Sequence, residues 1–436
     1  MATRRMLPIV LVAALLLASL TSALLTGSGA ASAAGPTLGL ASFIGPELLV
    51  SEPTSPESVH TTPAVTYNPE GQEYLALWVN QWNSGTWDIY ARRITSTGVP
   101  LGAFVVSSGS GQRYMPAAAF DGASHEYLIV WMYRATSSAK WDIYGRRFTA
   151  DGTPLGSAEF LIFTWANRSF TSPRVVWNSV HNCYMVLSSV FATDTSKWND
   201  VAARLVLANG SMPNAGGSVS EQDQLKQPQE GAIAYNPGTD EYLVVWCQEY
   251  SPTDKDIWAA RLRGSDGTLV SPPGRYSLVT TNEDQSYPAI AAAGNDYVLA
   301  FQQTPIGSTT NRDIYAVGLD HTGSPVSTPV LIAGSTDPEK FPAVAAITRN
   351  PIQFCLVWQR STATGLEAWG WVLDEHAVPT VYQVSPAGGQ DPPVIASSAS
   401  GYLVIYSKSW NGTEHLFGRV LGLWGAYIPL VARNSH

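Results

Sequence analysis

From residue 46 onward the chain alternates short apolar runs with tight polar punctuation. Runs of four to seven residues rich in Val, Ile, Tyr, Phe and Trp are separated by Gly, Pro, Asn, Asp and Ser. This is strand-and-turn patterning, and no later segment sustains a 3.6-residue apolar period, so the pattern predicts strands and no helices.

The runs recur in a fixed order. EYLALW (73–78), EYLIVW (126–131) and EYLVVW (241–246) are near copies, with weaker versions in CYMVLS (183–188), DYVLAF (296–301), QFCLVW (353–358) and GYLVIY (401–406). Upstream of six of them stands a Pro-led run of small and β-branched residues, beginning at Pro63, Pro116, Pro173, Pro288, Pro342 and Pro393. The fourth copy is looser, with Pro228 and then AIAYNP from Ala232. Downstream comes WDIYARR (87–93), WDIYGRR (141–147) or a relic such as KDIWAARL (255–262), then a turn and an outer apolar run such as AFVVSS (103–108). The period is roughly 50 to 60 residues and there are seven units.

Four short strands in a repeat of this length make one propeller blade. A lone four-stranded sheet cannot bury both faces, whereas blades stacked around an axis bury each other. The expected fold is therefore all-β, a seven-bladed β-propeller of four-stranded antiparallel blades. The Pro-led run is placed innermost, where Ala64, Ala117, Ala118, Ala291, Ala292 and Ala345 suit a crowded axis. Antiparallel alternation then puts the loops after the second strand and the loops between units on one face, the top. The ring is expected to close through an N-terminal strand, PELLVS (46–51), used as the outer strand of the last blade; YIPLV (427–431) is the alternative.

The repeated motif reads as architecture. A catalytic set must break the pseudo-symmetry, whereas the acidic position recurs as Asp88, Asp142, Asn199, Asp256, Asp313, Glu367 and Glu414. With Trp78 set opposite Asp88, antiparallel counting puts Glu73 opposite Arg93, Glu126 opposite Arg147 and Glu241 opposite Arg261. Facing opposite charges help to fix register.

A basic start, an apolar run from Met6 to Leu20 and small residues ending ASAAG predict a signal peptide over 1–33. A linker over 34–45, the propeller over 46–431 and a tail over 432–436 follow. The expected location is secreted, extracellular, with no membrane span. A net charge of −9 argues against nucleic acid as a partner. Cys183, Cys247 and Cys355 lie far apart in apolar runs and read as buried small hydrophobes.

With its Pro-led, EYLVVW and DIYARR runs, the chain resembles the secreted bacterial seven-bladed β-propeller repeat proteins, a group without a single established activity. The resemblance implies a fold and a location and carries over no site residues.

Candidate chemistry is sparse. No Cys or His pair has metal-ligand spacing, no calcium loop pattern occurs, and Gly-x-Ser-x-Gly is absent. Most histidines fall in turns, and the inner runs carry no acid in their first residues. No catalytic residue, metal or cofactor is therefore expected. The top face offers aromatic and amide side chains. Trp82, Tyr250 and Trp410 stand at the fourth position beyond the EYLVVW run in three units, Gln248, Gln302, Gln359 and Arg360 follow that run closely, and Tyr133 and Trp165 project from loops. Rings beside amides suit a sugar or peptide. The expected function is a secreted, monomeric, non-enzymatic recognition module that binds an extracellular glycan or protein. One alternative is a propeller-type glycoside hydrolase or polysaccharide lyase acting outside the cell, which would show clustered acids near the top of the axis. The other is a structural, surface-associated propeller.

Overall fold

The computed structural model describes residues 45–51, 59–82, 85–193, 199–214, 216–220, 227–251, 253–308, 310–347, 353–373 and 379–422. The expected signal peptide and the YIPLV run lie outside them. Among the described residues there are twenty-eight strands and no helix.

A short β1 (Leu48–Leu49) precedes the repeats. The first unit holds β2 (Val59–Asn68), β3 (Glu73–Gln81), β4 (Thr86–Thr95) and β5 (Pro100–Ser107); the second holds β6 (Gly111–Asp121), β7 (Glu126–Arg134), β8 (Asp142–Thr149) and β9 (Pro154–Phe163). The third comprises β10 (Arg168–Asn178), β11 (Cys183–Ala192), β12 (Asp200–Leu207) and β13 (Gly217–Ser218), and the fourth β14 (Gln227–Asn236), β15 (Glu241–Ser251), β16 (Asp254–Arg263) and β17 (Arg275–Val279). The fifth is β18 (Asp284–Ala293), β19 (Asp296–Thr304), β20 (Asp313–Leu319) and β21 (Val330–Ala333), and the sixth β22 (Glu339–Ile347), β23 (Gln353–Thr362), β24 (Gly365–Leu373) and β25 (Pro379–Gly389). The last has β26 (Val394–Ser397), β27 (Gly401–Trp410) and β28 (Thr413–Gly422).

Each unit is an antiparallel meander of consecutive strands. The first two are joined by a short parallel contact, Thr86 with Gly111 and Trp87 with Gln112. In the last sheet β1 pairs with β28, Leu48 opposite Gly418 and Leu49 opposite Phe417. The first strands lie against one another in succession, β2 on β6, β6 on β10, and so on to β26, which lies against β2. A cavity of about 340 Å³ opens among β2, β6, β10, β14 and β18, with Ala118, Ala119, Ala291 and Ala292 in its wall. This is the arrangement of a β-propeller.

The second strands are apolar on both faces because both faces are covered. Leu75, Leu77 and Val79 pack with Phe120, Ile129 and Trp131 of the second unit. Tyr74, Ala76 and Trp78 pack with Leu403, Ile405 and Leu416 of the last. Trp78, Trp131, Trp246 and Trp358 occupy equivalent positions and are fully buried. Burying a large apolar side chain stabilises by roughly 1.5–3 kcal/mol.

Two sequence expectations change here. Trp78 faces Tyr90, Asn80 faces Asp88 and Leu75 faces Arg93, a register two residues away from the expected one. Two more residues than expected stand between Trp78 and its partner, so the hairpin closes later along the chain. A shift of two keeps every side chain on its face, so the ion pair forms diagonally: Arg93 Nε donates to Glu73 Oε2 at 2.7 Å. Arg147 reaches Glu126 at 2.6 Å and Arg261 reaches Glu241 at 3.3 Å in the same way. Asp88 serves the loops instead, accepting from Trp82 Nε1 at 2.8 Å and from Gly109 N at 3.1 Å. The histidines are the second change. His60 and His415 lie within β2 and β28 and are buried, not in solvated turns.

Candidate active site at the inner-strand bulges

The inner strands of the first, second, third, fifth and sixth units begin several residues before the Pro that marks them in sequence. Those five and β14 pair with their second strands on both sides of a bulge, between Thr61 and Ala64 in β2 and between Ser286 and Ala289 in β18, for example. Proline has no N–H to give the ladder, so the strand must skip a step there. The residue just before it turns left-handed: Thr62 (φ 49°), Met115 (47°), Ser172 (50°), Tyr287 (51°) and Phe341 (54°). Glu230 (57°) makes the same turn without a proline after it. Gly231 follows instead, and a Cβ on it would stand 3.0 Å from Leu187 and 3.1 Å from Val201. In the last unit Pro392 occupies this step, and its ring confines φ to negative values.

A left-handed backbone costs about 1–3 kcal/mol at a non-Gly residue and persists only where surrounding structure imposes it. Here one repeated backbone feature presents six different side chains in a ring around the inner strands. Neighbours on the ring touch: Ser172 Oγ lies 3.5 Å from Met115 Sδ, Tyr287 N donates to Glu230 Oε2 at 2.7 Å, and the rings of Tyr287 and Phe341 meet edge to face at 4.6 Å. The pseudo-symmetry breaks at this ring.

Glu230 is the group with chemistry. It is half-buried, and burial pushes its carboxyl up to about 7, against the pull of the Tyr287 hydrogen bonds and the Lys255 charge; Asp284 adds repulsion. Burial also raises Asp284, while Lys255 and Arg312 pull it down. Lys255 Nζ stands 3.5 Å from Glu249, whose Oε2 also accepts from Gln229 Nε2 at 2.7 Å. Tyr287 stays exposed beside the carboxyl. A carboxylic acid that holds its proton near neutral pH and still meets solvent can act as a general acid. On the last unit, burial pushes Asp391 up to about 7 as well, with a Thr62 backbone N–H donating to it.

The residues singled out in the sequence fall into two groups. Trp82, Tyr250 and Trp410 are exposed at the ends of second strands in three separate sheets, and the fold does not bring them together. Tyr250 and Trp410 lie inside β15 and β27, because those strands extend further than their apolar runs. Gln248, Gln302 and Gln359 are buried braces. Gln302 donates to Ser286 Oγ and accepts from Phe341 N, both at 3.1 Å, so it holds two inner-strand bulges in place. Gln248 accepts from Trp246 Nε1 at 3.1 Å, and Gln359 donates to Gln390 O at 3.2 Å. Arg360 is paired with Asp337 at 3.0 Å over the Trp369 ring. Tyr133 lies under the Arg113 guanidinium, and Trp165 packs edge-on against Phe163 and Phe170. Sequence reasoning passed over Glu230; the available signal was the departure at Pro228, where Gly231 stands in place of the usual proline.

Among the described residues no group of three or more His, Cys, Asp and Glu could hold a metal ion, and no helix is long and apolar enough to cross a membrane. No family model matches the chain, and no curated protein matches it. Solved structures do. It is similar to the β-propeller domain of the Trilobed protease from Pyrococcus furiosus, at 10% identity over 83% of this chain and 95% of that one, with a TM-score of 0.48. It is similar to Pyrococcus horikoshii acylaminoacyl peptidase, at 9% identity over 82% of this chain with a TM-score of 0.46, and spans 52% of that protein's length. A third is α-L-arabinofuranosidase from Lactobacillus brevis, at 12% identity over 62% of this chain and 93% of that one, with a TM-score of 0.38. At such identities the likeness concerns the fold.

The expectation of a non-enzymatic recognition module is corrected at this point. The similar structures carry the names of a protease, a peptidase and a glycosidase. The ground for that expectation also fails, since the inner strands carry Glu230, Asp284 and Glu339. β18 and β22 start earlier than their Pro-led runs and open on Asp284 and Glu339, and Glu230 is the fourth residue of β14, between Pro228 and the AIAYNP run.

Proposed function

We propose that the chain is a propeller-type glycoside hydrolase acting outside the cell, with its active site at the inner-strand bulges of the fourth and fifth units. One observation carries the reading: Glu230, a carboxyl held near neutrality on a left-handed inner-strand residue, beside Asp284, Lys255 and the exposed Tyr287. Glu230 would donate its proton to the glycosidic oxygen as the bond breaks. Asp284, the second carboxyl, would stabilise the positive charge that develops on the sugar or activate water, as paired carboxylates do in this reaction. Tyr287 offers a ring to the sugar's apolar face. Tyr250, exposed near the end of β15 in the same sheet as Glu230, would serve as an outer contact for a longer chain.

The seven-bladed form of the propeller is supported by the circuit of inner-strand contacts from β2 to β26 and back to β2. Closure by an N-terminal strand is supported by the pairing of Leu48 and Leu49 with β28. Secretion is supported by the sequence over 1–33.

The test is a panel of aryl glycosides and polysaccharides with the purified chain. Turnover is expected to have a pH limb near 7, and E230Q to lose at least about a hundredfold in kcat. Turnover that survives E230Q undiminished would reject this site.

A further inference from the structure

Beside this site stands a cation without an acid partner among the described residues. Of the four described lysines, Lys140 meets Asp142, Lys255 meets Glu249 and Lys408 meets Glu47. Lys340 meets no carboxylate among the described residues. It is half-buried on β22 immediately before Phe341, the ring residue in contact with Tyr287. Its charged neighbour is Arg312, brought alongside by the hydrogen bond from Glu339 N to Arg312 O at 2.7 Å. The Arg312 guanidinium has one hydrogen bond here, to Thr310 O at 3.2 Å, and its charge is felt by Asp284 and Tyr287. The contrast with Arg360 is local: on the same sheet, that side chain is tied to Asp337 and Glu339.

Two like charges set together and partly desolvated are unfavourable unless something anionic comes between them. Burial, with the Arg312 charge next, already holds the Lys340 ammonium below its ordinary value. The chain has 34 acids against 25 lysines and arginines, so an acid for Lys340 was not in short supply.

We infer that Lys340 and Arg312 form an anion subsite at the edge of the Glu230 site, which selects a glycan carrying a carboxylate or sulfate group. The inference rests on the hydrolase reading for its place in catalysis, and it is tested by binding alone. An acidic sugar whose ring lies on Tyr287 and Phe341 would set its anionic substituent between Lys340 and Arg312, with its scissile bond toward Glu230. The acids Glu230, Glu249 and Asp284 would repel a charge placed elsewhere in the site, so the subsite also fixes orientation.

The experiment is calorimetric titration of the full chain at low salt with two charged probes and their neutral counterparts: oligogalacturonate against its methyl ester, and sulfated dextran oligomers against dextran. At least one charged probe is expected to bind tenfold or more tightly than its counterpart. K340Q and R312Q should each weaken that binding about tenfold, K340R should retain it, and added salt should weaken it. Whichever charged probe prevails tells carboxylate from sulfate. Equal binding of charged and neutral probes, no binding of either charged probe, or full affinity in both K340Q and R312Q with folded circular dichroism spectra overturns the subsite. If charge-selective binding holds but no substrate is turned over, the hydrolase reading fails and the subsite stands.

Discussion

His60 and His415 meet edge to face with Nδ1 atoms 3.1 Å apart, and both are buried. The pair joins the first inner strand to the last sheet. Ser51, just after β1, places its Oγ 2.7 Å from His60 Nδ1 and accepts from Leu416 N at 2.9 Å. The N-terminal segment, β2 and β28 are thus tied at one buried polar point.

Stability should therefore fall in acid. Burial, reinforced by His415, drives His60 down to about 3, and burial lowers His415 too. The unfolded imidazole takes its proton near about 6.5, so below that pH the unfolded chain binds protons that the folded one refuses. The contribution is intact above about pH 6.5 and is lost progressively as pH falls toward 3. For His60 the loss reaches about 2 kcal/mol at pH 5. Urea melts at pH 7.5 and pH 5 should show it, and H60Q should narrow the gap between them. An equal gap in H60Q would mean that other groups carry the acid sensitivity.

Glu230 should trade stability for activity. Its folded value, about 7, lies above the unfolded one, so its stabilising contribution is complete below about pH 4.3 and is lost as pH rises through 7. Replacement by Gln removes that loss. We expect E230Q to be the more stable protein at pH 8 by about 3–4 kcal/mol and to have no advantage at pH 4, while kcat falls at least about a hundredfold. Thermal melts at the two pH values check this; an E230Q protein less stable at pH 8 would contradict it.

The diagonal pair Arg93–Glu73 should couple weakly. Both side chains are partly exposed, at 27% and 13%, and a bidentate contact in that setting is worth about 0.2–1 kcal/mol. A double-mutant cycle with R93A and E73A should return a coupling in that range that shrinks in 1 M salt. Coupling above about 2 kcal/mol would show that the pair does more than align β3 with β4.

The strand order, the inner place of the Pro-led runs and the charge pairing were legible in the sequence because each follows from local pattern. Alternation, turn residues and repetition state which runs pair and which faces are covered; EYLVVW is apolar on both sides because a neighbouring sheet covers each side. The register was misjudged by two residues. A shift of two leaves every side chain on its own face, so the pattern of polar and apolar residues cannot distinguish the two alignments, and only the length of the turn after Gln81 does. The site was harder to see. Glu230 lies two residues before the AIAYNP run, outside the Pro-led pattern, and nothing local says that its left-handed backbone stands beside Tyr287.

By itself, then, the sequence determined the all-β repeat, the role of WDIYARR as architecture, and the burial of Cys183, Cys247 and Cys355. These depend on short-range periodicity and on apolar residues that have nowhere else to go. The tertiary structure decided which side chains of different units share one space. Glu230 and Tyr287 are 57 residues apart in the chain and 2.7 Å apart in the fold, and Lys340 stands beside Arg312 with no carboxylate partner among the described residues. Desolvation and charge coupling arise between strands that meet around an axis, and they belong to the ring rather than to any single repeat.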